Sequence, residues 1–404
     1  MIILVLNCGS SSLKYQVLDM KSDNEFTLKA KGLVERIGEK MGALNHQVPG
    51  QDKLVIEQPI ADHTVGIRAV LEILTGKEHG VLGSLAEIEA VGHRVAHGGE
   101  YFSGSALIND KVESEIEKLC VLAPLHNPAN LLGVRAVKKL MPDIPQVAVF
   151  DTSFHQTMPD YAYTYAIPYE YYEKFGIRRY GFHGTSHKFV SRRAAEFLGI
   201  DLGNSRIITC HLGNGSSITA VKDGRCIDTS MGFTPQEGVP MGTRSGTIDA
   251  TIVPFIAEKE GLTPKQIETI LNKKSGLLGV SGVSSDCRDI EQAAASGNVR
   301  ASLAQNILCY QIKKIIGAYA AALGGVDVIV FTGGIGENSA LVRRDTCQGL
   351  EYLGVEFDDT VNQGIHGKDA VISKPSSRVK VVTIATNEEL VIARDTMNIV
   401  KSQK

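Results

Sequence analysis

Three short glycine-rich segments of the sequence directly follow apolar stretches. They are NCGSSS at 7–12, HLGNGSS at 211–217 and TGGIGEN at 332–338. Glycine allows a ligand to approach the backbone closely, and successive N–H groups beside hydroxyls can bind an anion. Each segment alone is equally typical of an ordinary hairpin or loop. Because all three occur in one chain, we expect them to surround a phosphate-bearing ligand.

The nucleotide-binding loops of the commonest families are absent from the sequence. There is no GxxxxGK[ST], no GxGxxG that opens a helix after a strand, and no HRD and DFG set of a protein kinase. A nucleotide site in this chain must therefore have another architecture.

Two arginines lie among small residues, Arg94 in GHRVAHGG and Arg244 in MGTRSG. A guanidinium binds carboxylate or phosphoryl oxygens in a bidentate manner. Either arginine could equally form a structural salt bridge. The surrounding glycines favour a guanidinium that stays open to a ligand.

Asp151 and His183 are further residues of a catalytic type. Asp151 ends the apolar run PQVAVF, and the ends of strands in open α/β sheets commonly carry functional carboxylates. His183, in YGFHGTSH, precedes a helix predicted at 188–198, and the N-terminus of a helix favours a bound anion. Alternatively, His183 or His187 simply caps or packs.

The segment TNEE near the C-terminus fits a capping box. In this interpretation Thr386 caps the last helix and Glu389 reaches back to it. Glu388 then points elsewhere, which makes it the freer candidate for binding a metal.

Apolar periodicity and end signals predict the elements that must position these residues. Asn127 before a proline is typical of a helix cap, and 332–338 is expected to be a loop. Strands are predicted at 2–6, 13–18, 145–150, 206–210, 218–221, 326–331 and 379–384. Helices are predicted at 62–74, 112–120 (with Asn109 or Asp110 as cap), 127–140, 188–198 and 301–323, with a last one from Thr386.

The pattern of strand, Gly/Ser turn and strand at the N-terminus recurs about two hundred residues later. Alternation of strands and helices is typical of an α/β protein. We therefore expect a duplicated α/β fold with a cleft between the two copies, and a domain boundary near residue 152.

Composition excludes several classes of protein. The 404 residues include 41 glycines, 43% hydrophobic and 22% charged residues, which is unlike a disordered, collagen-like or coiled-coil chain. A net charge of −3 gives no general reason to bind nucleic acid or an acidic membrane. The start MIILVLNCGSSS lacks the features of a signal peptide, and no apolar run is long enough to span a membrane. Seven scattered cysteines without a CxxC pair indicate a reduced cytoplasmic protein without structural zinc.

Nearly end to end, the sequence resembles the acetate kinase family, within the superfamily of sugar kinases, actin and the heat-shock-70 chaperones. The matching motifs are LVLNCGSSSLKY, GHRVAHGGE, APLHNPAN, AVFDTSFHQTMP, RRYGFHGTSH, CHLGNGSS, DTSMGFTP, MGTRSG, SGLLGVSGVSSDCRD, FTGGIGEN and TNEELVIARDT. The resemblance implies a duplicated two-lobed actin-like ATPase (ribonuclease H-like) fold with a central nucleotide cleft. Residues 1–151 and 386–404 would form the N-terminal lobe, and 152–385 the C-terminal lobe, which forms homodimers in the family.

The resemblance also implies an activity and a set of site residues. The activity is the reversible phosphorylation of acetate by ATP and Mg²⁺, with Mn²⁺ as a possible substitute. By position, Asn7 and Glu388 match the metal site, Arg94 the residue that holds the substrate carboxylate, and Asp151, His183 and Arg244 the catalytic residues. The acetyl pocket corresponds to Ala96, Leu125, Phe182 and Pro235. The nucleotide-binding positions are Lys14, His211, Leu212, Gly213, Asn214, Gly215, Asp286, Cys287, Arg288, Gly334, Ile335, Gly336, Glu337 and Asn338.

The chemistry of a carboxylate substrate limits what Asp151 can do. The substrate is already ionised at pH 7, because its ordinary pKa is about 4, so no general base is required. We therefore expect Asp151 to organise metal, water or the arginines. The transfer needs positioning and neutralisation of charge, which two arginines, a histidine and Mg²⁺ supply.

The sequence departs from the family pattern at two positions. Ala96 stands where many acetate kinases have valine and propionate kinases commonly have alanine, so propionate kinase is the alternative activity. Thr247 stands where an acidic residue usually follows MGTRSG, and this difference has no functional interpretation.

An alternative of a different class is a non-catalytic actin-like nucleotide-binding module. A sugar kinase would need polar side chains to bind hydroxyls, whereas the pocket candidates are apolar.

Overall fold

A computed structural model describes residues 1–403, and within this range the chain forms fourteen β-strands and fifteen α-helices. The strands are β1 Ile2–Cys8, β2 Ser12–Met20, β3 Phe26–Glu35, β4 Gly42–Gln47, β5 Leu54–Gln58, β6 Ile88–Val95, β7 Ala106–Leu107, β8 Gln146–Phe150, β9 Arg206–Leu212, β10 Ser216–Lys222, β11 Arg225–Thr229, β12 Val328–Thr332, β13 Ala370–Val371 and β14 Lys380–Thr383.

The helices range from four to twenty-five residues in length. They are α1 His63–Leu74, α2 Asp110–Lys118, α3 Asn127–Leu140, α4 Asp160–Tyr163, α5 Glu170–Phe175, α6 Gly184–Leu198, α7 Ile252–Glu260, α8 Pro264–Lys273, α9 Gly276–Ser281, α10 Cys287–Ala295, α11 Val299–Leu323, α12 Gly333–Asn338, α13 Ala340–Cys347, α14 Asp359–Gln363 and α15 Glu388–Ser402. Short 3₁₀ helices lie at Leu85–Glu87, Leu119–Val121, Ser153–Thr157, Leu202–Asn204 and Glu351–Leu353. No helix within residues 1–403 has both the length and the apolar character that a membrane span requires.

The chain divides into two compact units. The first contains Met1–Ser153 and the C-terminal segment from Asn387. Its eight-stranded sheet has the order β5-β4-β3-β2-β1-β6-β8-β7, in which β1, β6 and β8 are parallel neighbours. Helix α15 packs on β6 at Gly92, where a Cβ atom would lie only 2.5 Å from the hydroxyl of Thr396. The absence of a side chain at Gly92 thus lets the C-terminal helix complete the first unit.

The second unit, Phe154–Thr386, has a six-stranded sheet in the order β11-β10-β9-β12-β14-β13. Strand β9 is antiparallel to β10 and parallel to β12, and β12 is parallel to β14. The run β3-β2-β1-β6-β8 of the first unit has the same order and directions. The two units are therefore copies of one α/β design, which confirms the predicted duplication.

Each sheet has a large apolar core on one of its faces. In the first unit, Leu4 and Leu6 of β1 are buried with Val70 of α1 and Val137 of α3. In the second unit, the long helix α11 supplies much of a larger core over β9, β10 and β12. Strands that are buried on both faces explain the continuous apolar runs in the sequence.

Four predicted helix features were wrong in detail. Asn387, not Thr386, caps α15, and its side-chain oxygen accepts a hydrogen bond from Leu390 N at 3.0 Å. Asn127 is the first residue of α3 and not its cap. Helix α6 begins at Gly184, four residues before the predicted start. The segment 332–338, expected to be a loop, contains the six-residue helix α12.

Candidate active site

Three of the candidate residues in the first unit lie at the carboxyl ends of adjacent parallel strands. Asn7 is near the end of β1, Arg94 near the end of β6, and Asp151 directly follows β8. The Arg94 guanidinium donates from Nη2 to Asp151 Oδ2 at 2.5 Å and from Nε to both carboxylate oxygens at 3.0 and 3.1 Å. Its Nη1 donates to Asn7 Oδ1 at 3.2 Å. The sheet topology thus brings together residues that are far apart in sequence, at the edge where open α/β sheets bind ligands.

The Arg94–Asp151 pair is largely removed from water. The Asp151 side chain is 1% exposed and that of Arg94 is 21% exposed. Desolvation lowers the pKa of Arg94, but the attraction of Asp151 outweighs it, with Glu388 and Glu389 adding, so that the net shift is upward. Arg94 is therefore a fixed cation with a defined orientation.

Glu388 is the first residue of α15, and its side chain is half-buried. Desolvation raises the pKa of Glu388 to about 7; Arg94 opposes this shift, while Asp151 and Glu389 add to it. A carboxyl in this environment is stabilised in its charged form by a cation.

The loop after β6 is held by two buried asparagines of α3. Asn130 Oδ1 accepts from Ala96 N at 3.0 Å, and its amide donates to Cys8 O at 2.7 Å. Asn127 bonds to both the N–H and the C=O of His97, each at 3.0 Å. These contacts fix the backbone next to Arg94. Neither asparagine was predicted as a functional residue, although the motif HNPAN within APLHNPAN contains both.

The remaining candidates of the first unit differ in exposure. Lys14 is exposed on β2 and pairs across the hairpin with Asn7. Ala96 is 3% exposed, whereas Leu125 is 57% exposed.

In the second unit, backbone hydrogen bonds join the glycine-rich segments. Gly242 N donates to Asn214 O at 3.2 Å, which connects MGTRSG to the β9–β10 hairpin. A Cβ atom at Gly242 would lie 2.0 Å from Asn214 Oδ1 and 3.0 Å from the carbonyl oxygen of Ser285, so the segment lies close against the hairpin at a residue without a side chain. Leu277 N donates to Met241 O at 2.9 Å, which adds the SGLLGVSG segment.

His183 and Arg244 converge on Gly215 of the hairpin. A Cβ atom built on Gly215 would lie 3.4 Å from His183 Nε2 and 3.5 Å from Arg244 Nη1. His183 caps α6 with φ 56°, a left-handed conformation that is uncommon for a residue with a side chain. Such strain is concentrated at functional sites.

Arg244 is a partly buried cation. Desolvation lowers its pKa, and within residues 1–403 no carboxylate forms a salt bridge with it. Its Nη1 donates instead to the carbonyl of Pro235 at 3.1 Å. A cation without a compensating carboxylate favours an anionic ligand.

A cavity of about 800 Å³ adjoins this hairpin, a size that suits a small-molecule ligand. It brings together the three predicted nucleotide-binding stretches through Gly213, Asn214, Asp286, Cys287, Arg288, Gly334, Ile335 and Asn338. Ser285, Glu291, Ser339 and His366 also line it and were not predicted. On its rim, Arg288 pairs with Asp286 at 2.6 Å and holds the pKa of that carboxyl near 2 through direct hydrogen bonds.

Besides Lys14, five predicted nucleotide-binding residues do not line this cavity. Glu337 Oε1 accepts from Gly333 N at 2.9 Å and Thr386 N at 3.0 Å, so its carboxylate braces α12. The His211 ring stacks on that of His183, with centroids 4.2 Å apart. The others are Leu212, Gly215 and Gly336.

Phe182 is 6% exposed and packs with Met231 and Met241, next to the motif that contains Arg244.

Thr247, for which the sequence offered no explanation, forms two hydrogen bonds with Gly238. Its hydroxyl accepts from Gly238 N at 3.1 Å, and Gly238 O accepts from Thr247 N at 2.9 Å. Thr247 therefore holds the loop that precedes the motif containing Arg244.

The donor set around Asn7 fits Mg²⁺. This ion prefers amide and carboxylate oxygens and is usually held by one or two carboxylates while it keeps several waters. Asn7 and the half-buried Glu388 provide such oxygens, and a bound cation would offset the desolvation that raises the pKa of Glu388. Within residues 1–403 no cluster of three or more His, Cys, Asp or Glu is arranged to hold a metal.

The comparisons agree with this geometry. Residues 2–394 match the Acetokinase family. The acetate kinase of Carboxydothermus hydrogenoformans is 59% identical over 398 residues, covering 98% of this chain and 99% of that protein. The crystal structure of Porphyromonas gingivalis acetate kinase gives a TM-score of 0.95 at 52% identity, covering 99% of both chains. That of a propionate kinase from Francisella tularensis gives 0.91 at 43% identity, covering 98% of this chain and 99% of the other.

The repeated sheet order and these crystal structures confirm the predicted fold class, a duplicated actin-like ATPase fold of the α/β type. Because the match extends over nearly the whole length, at identities far above what the fold alone would give, the chain belongs to the acetokinase family.

Proposed function

We propose that this enzyme is an acetate kinase, which transfers the γ-phosphoryl group of ATP directly to acetate and forms acetyl phosphate and ADP reversibly. The observation that carries the proposal is the convergence of Arg244, a cation without a carboxylate partner, and His183 on Gly215, beside a cavity of nucleotide size. The full-length relatives named acetate kinase support acetate as the acceptor.

The acetate carboxylate is bound by Arg94. The substrate enters ionised, so no residue has to remove a proton. Asp151 acts through Arg94: its carboxylate fixes Nε and Nη2 of the guanidinium and leaves Nη1 toward Asn7. A guanidinium held in one orientation binds its ligand at a lower entropic cost than a free one.

Transfer of the phosphoryl group requires an anionic oxygen to approach an anionic phosphate. Arg244 and His183 provide positive charge and N–H donors where charge develops on the transferred group, which is usually the largest catalytic contribution. The strained backbone of His183 presents the ring at the start of α6, where the helix N-terminus also favours an anion.

The nucleotide occupies the 800 Å³ cavity of the second unit. Gly213, Asn214 and Gly334 line this cavity, together with Asp286 and Arg288. Lys14 of the first unit is a further predicted nucleotide-binding residue. Asn7 and Glu388 would hold Mg²⁺, which supplies neutralisation of the nucleotide phosphates when it is bound.

Propionate kinase is the second candidate activity. Ala96 is small and buried, and one of the similar structures is named a propionate kinase. One methylene in such a pocket is worth only about 1–3 kcal/mol, so a change of preference needs few substitutions. Acetate comes first because the relatives with higher identity are named acetate kinases.

We further propose that the enzyme forms a homodimer through the second unit and that it is cytoplasmic. Exposed apolar side chains on α7 and α11 support the dimer: Phe255 is 61%, Val299 80% and Tyr310 59% exposed. Exposed apolar side chains that lie together commonly mark contact surfaces between proteins, and these three are the candidates for such a surface. The cytoplasmic location rests on the cysteine pattern of the sequence.

The test is to incubate the protein with ATP, Mg²⁺ and acetate and to trap acetyl phosphate with hydroxylamine as acetohydroxamate. We expect hydroxamate and ADP in equal amounts, and neither without acetate. ATP binding without acetate-dependent turnover would instead identify a non-catalytic nucleotide-binding module.

A further inference from the structure

A chain of buried hydrogen bonds extends from His183 into the second unit. His183 Nδ1 lies 2.8 Å from Ser217 Oγ, and Ser217 Oγ lies 2.7 Å from His187 Nε2. His187 Nδ1 lies 2.7 Å from Thr209 Oγ1, which donates to the carbonyl of Thr219 at 3.4 Å. Ser217, His187 and Thr209 are all 0% exposed. The chain therefore connects a surface ring to the interior of the β9–β10 pair through groups that water does not reach.

The number of protons limits how this chain can be arranged. A hydroxyl has one proton, so the Ser217 hydroxyl can donate to only one of its two ring nitrogens and must accept from the other. His187 is neutral, because desolvation holds its pKa well below the ordinary value, and it has a single N–H. If this N–H is on Nδ1 and donates to Thr209, the Thr209 hydroxyl donates to the carbonyl of Thr219. Ser217 then donates to His187 Nε2 and accepts from His183 Nδ1. In the reverse direction the Thr209 proton goes to His187 Nδ1 in place of the Thr219 carbonyl, His187 Nε2 donates to Ser217, and Ser217 donates to His183 Nδ1.

Both directions hold the His183 ring in the same place. Because Nδ1 is bonded to Ser217 in either case, the Nε2 edge of the ring faces Gly215, next to Arg244 Nη1. The stack of His211 on His183 limits rotation of the ring from a second side. A protonated His183 is compatible only with the first direction, and a neutral His183 that carries its proton on Nε2 only with the second. The chain thus allows His183 to present an N–H at Nε2 in either charge state.

We propose that Ser217, His187 and Thr209 are positioning residues that hold His183 with its Nε2 edge toward the transferred phosphoryl group. None of the three touches the substrate; they act through His183. The proposal deepens the proposed function and rests on it for the identity of the group that His183 meets.

The main test is a double-mutant cycle of Ser217→Ala and His183→Ala, with kcat and KM measured for acetate and for ATP. We expect Ser217→Ala alone to lower kcat by about 10-fold or more, as is typical for outer partners of a functional histidine, with both KM values within about twofold. In the His183→Ala background, the same change should alter kcat by less than about twofold, because residues that act as one unit are not additive. Thr209→Val should show the same pattern with a smaller loss, and it serves as the second variant if Ser217→Ala does not fold.

The matched control is Ser191→Ala on α6. Ser191 is 1% exposed, and its hydroxyl donates only to the local carbonyl of Lys188 at 3.2 Å. We expect the control to retain its parent's kcat in both backgrounds. A loss in Ser217→Ala that is equal with and without His183, or no loss at all, would overturn the proposal.

A second measurement does not depend on turnover. The ¹⁵N chemical shifts of histidine rings labelled with ¹⁵N report the tautomer of His183 in the absence of substrate. We expect Ser217→Ala to change the His183 ring signals and Ser191→Ala to leave them unchanged; unchanged signals in Ser217→Ala would contradict the proposal. If the parent protein makes no acetyl phosphate but Ser217→Ala still changes the His183 ring signals, the proposed function is wrong and the hydrogen-bond chain stands.

Discussion

Arg94 and Asp151 are joined by a bidentate ion pair at the carboxyl ends of two neighbouring parallel strands, with a shortest contact of 2.5 Å. The carboxylate is almost fully buried, and the guanidinium keeps one nitrogen for Asn7. This pair fixes both the charge and the direction of the arginine. In the proposed reaction, Asp151 therefore orients a cation and does not act as a base.

Substitution of Arg94 should affect catalysis and stability together. We expect Arg94→Ala to lower kcat at least ~100-fold, because a fixed cation at the acid is lost. Breaking a buried ion pair on one side also costs about 3 kcal/mol in the free energy of unfolding. Arg94→Lys keeps the charge but loses the bidentate geometry, so it should restore stability more than activity. Steady-state kinetics and urea denaturation of the two variants measure both effects; an Arg94→Lys enzyme of normal activity would contradict the role of the oriented guanidinium.

Arg244 should behave differently, since no carboxylate in the described chain is paired with it. We expect Arg244→Ala to lower kcat at least ~100-fold while the free energy of unfolding stays unchanged or rises, because a desolvated cation is removed. The same kinetic and urea measurements apply. A loss of stability as large as that of Arg94→Ala would show that Arg244 has a structural partner.

Gly334 tests the nucleotide cavity. It lines the cavity, and a Cβ atom built on it would meet no atom within 4 Å. The added methyl of Gly334→Ala should therefore leave folding intact but raise KM for ATP several-fold, with KM for acetate unchanged. Gly104→Ala is the matched control, since Gly104 also has open space around it and lies in the first unit. If Gly334→Ala and the control have the same KM for ATP, the nucleotide does not occupy this cavity.

His93 should make stability depend on pH. It is 1% exposed, its Nε2 lies 2.8 Å from Gln146 Oε1, and desolvation lowers its pKa to about 4. In the unfolded chain the pKa of His93 is about 6.5, so as the pH falls the unfolded chain protonates His93 before the folded chain does. The stabilisation from neutral His93 is thus complete above pH 6.5 and is lost between pH 6.5 and 4, by about 2 kcal/mol at pH 5. We expect the unfolding free energy of His93→Gln to fall less between pH 7 and 5 than that of the parent; equal slopes would contradict the lowered pKa.

The sequence predicted β1 and β8 together with the residues at their ends, Asn7 and Asp151, but it did not predict β6, on which Arg94 lies. The repeated strand–turn–strand pattern correctly indicated a duplicated sheet. These strand predictions succeeded because parallel strands that are buried on both faces have continuous apolar sequences.

Features that depend on contacts distant in sequence could not be predicted in the same way. Asn127 has the sequence pattern of a helix cap, yet its amide binds the backbone of His97, thirty residues earlier. The glycines of 332–338 favour a loop, but Glu337 bonds to Gly333 N and Thr386 N and stabilises a helical turn. The same contact helps to explain why Thr386 is not the cap: Asn387 stands one residue nearer to the helix, and the Thr386 hydroxyl pairs with Ser186 at 2.8 Å.

The acceptor is a short carboxylate, and acetate is preferred. The most direct test of this preference is to measure kcat/KM for acetate, propionate and butyrate with saturating ATP and Mg²⁺. We expect the values to fall in that order, with acetate ahead of propionate by a factor that one methylene can provide, about 10-fold or more. A value for propionate several-fold above that for acetate would contradict the preference, and no turnover with any of the three acids would contradict the enzyme itself.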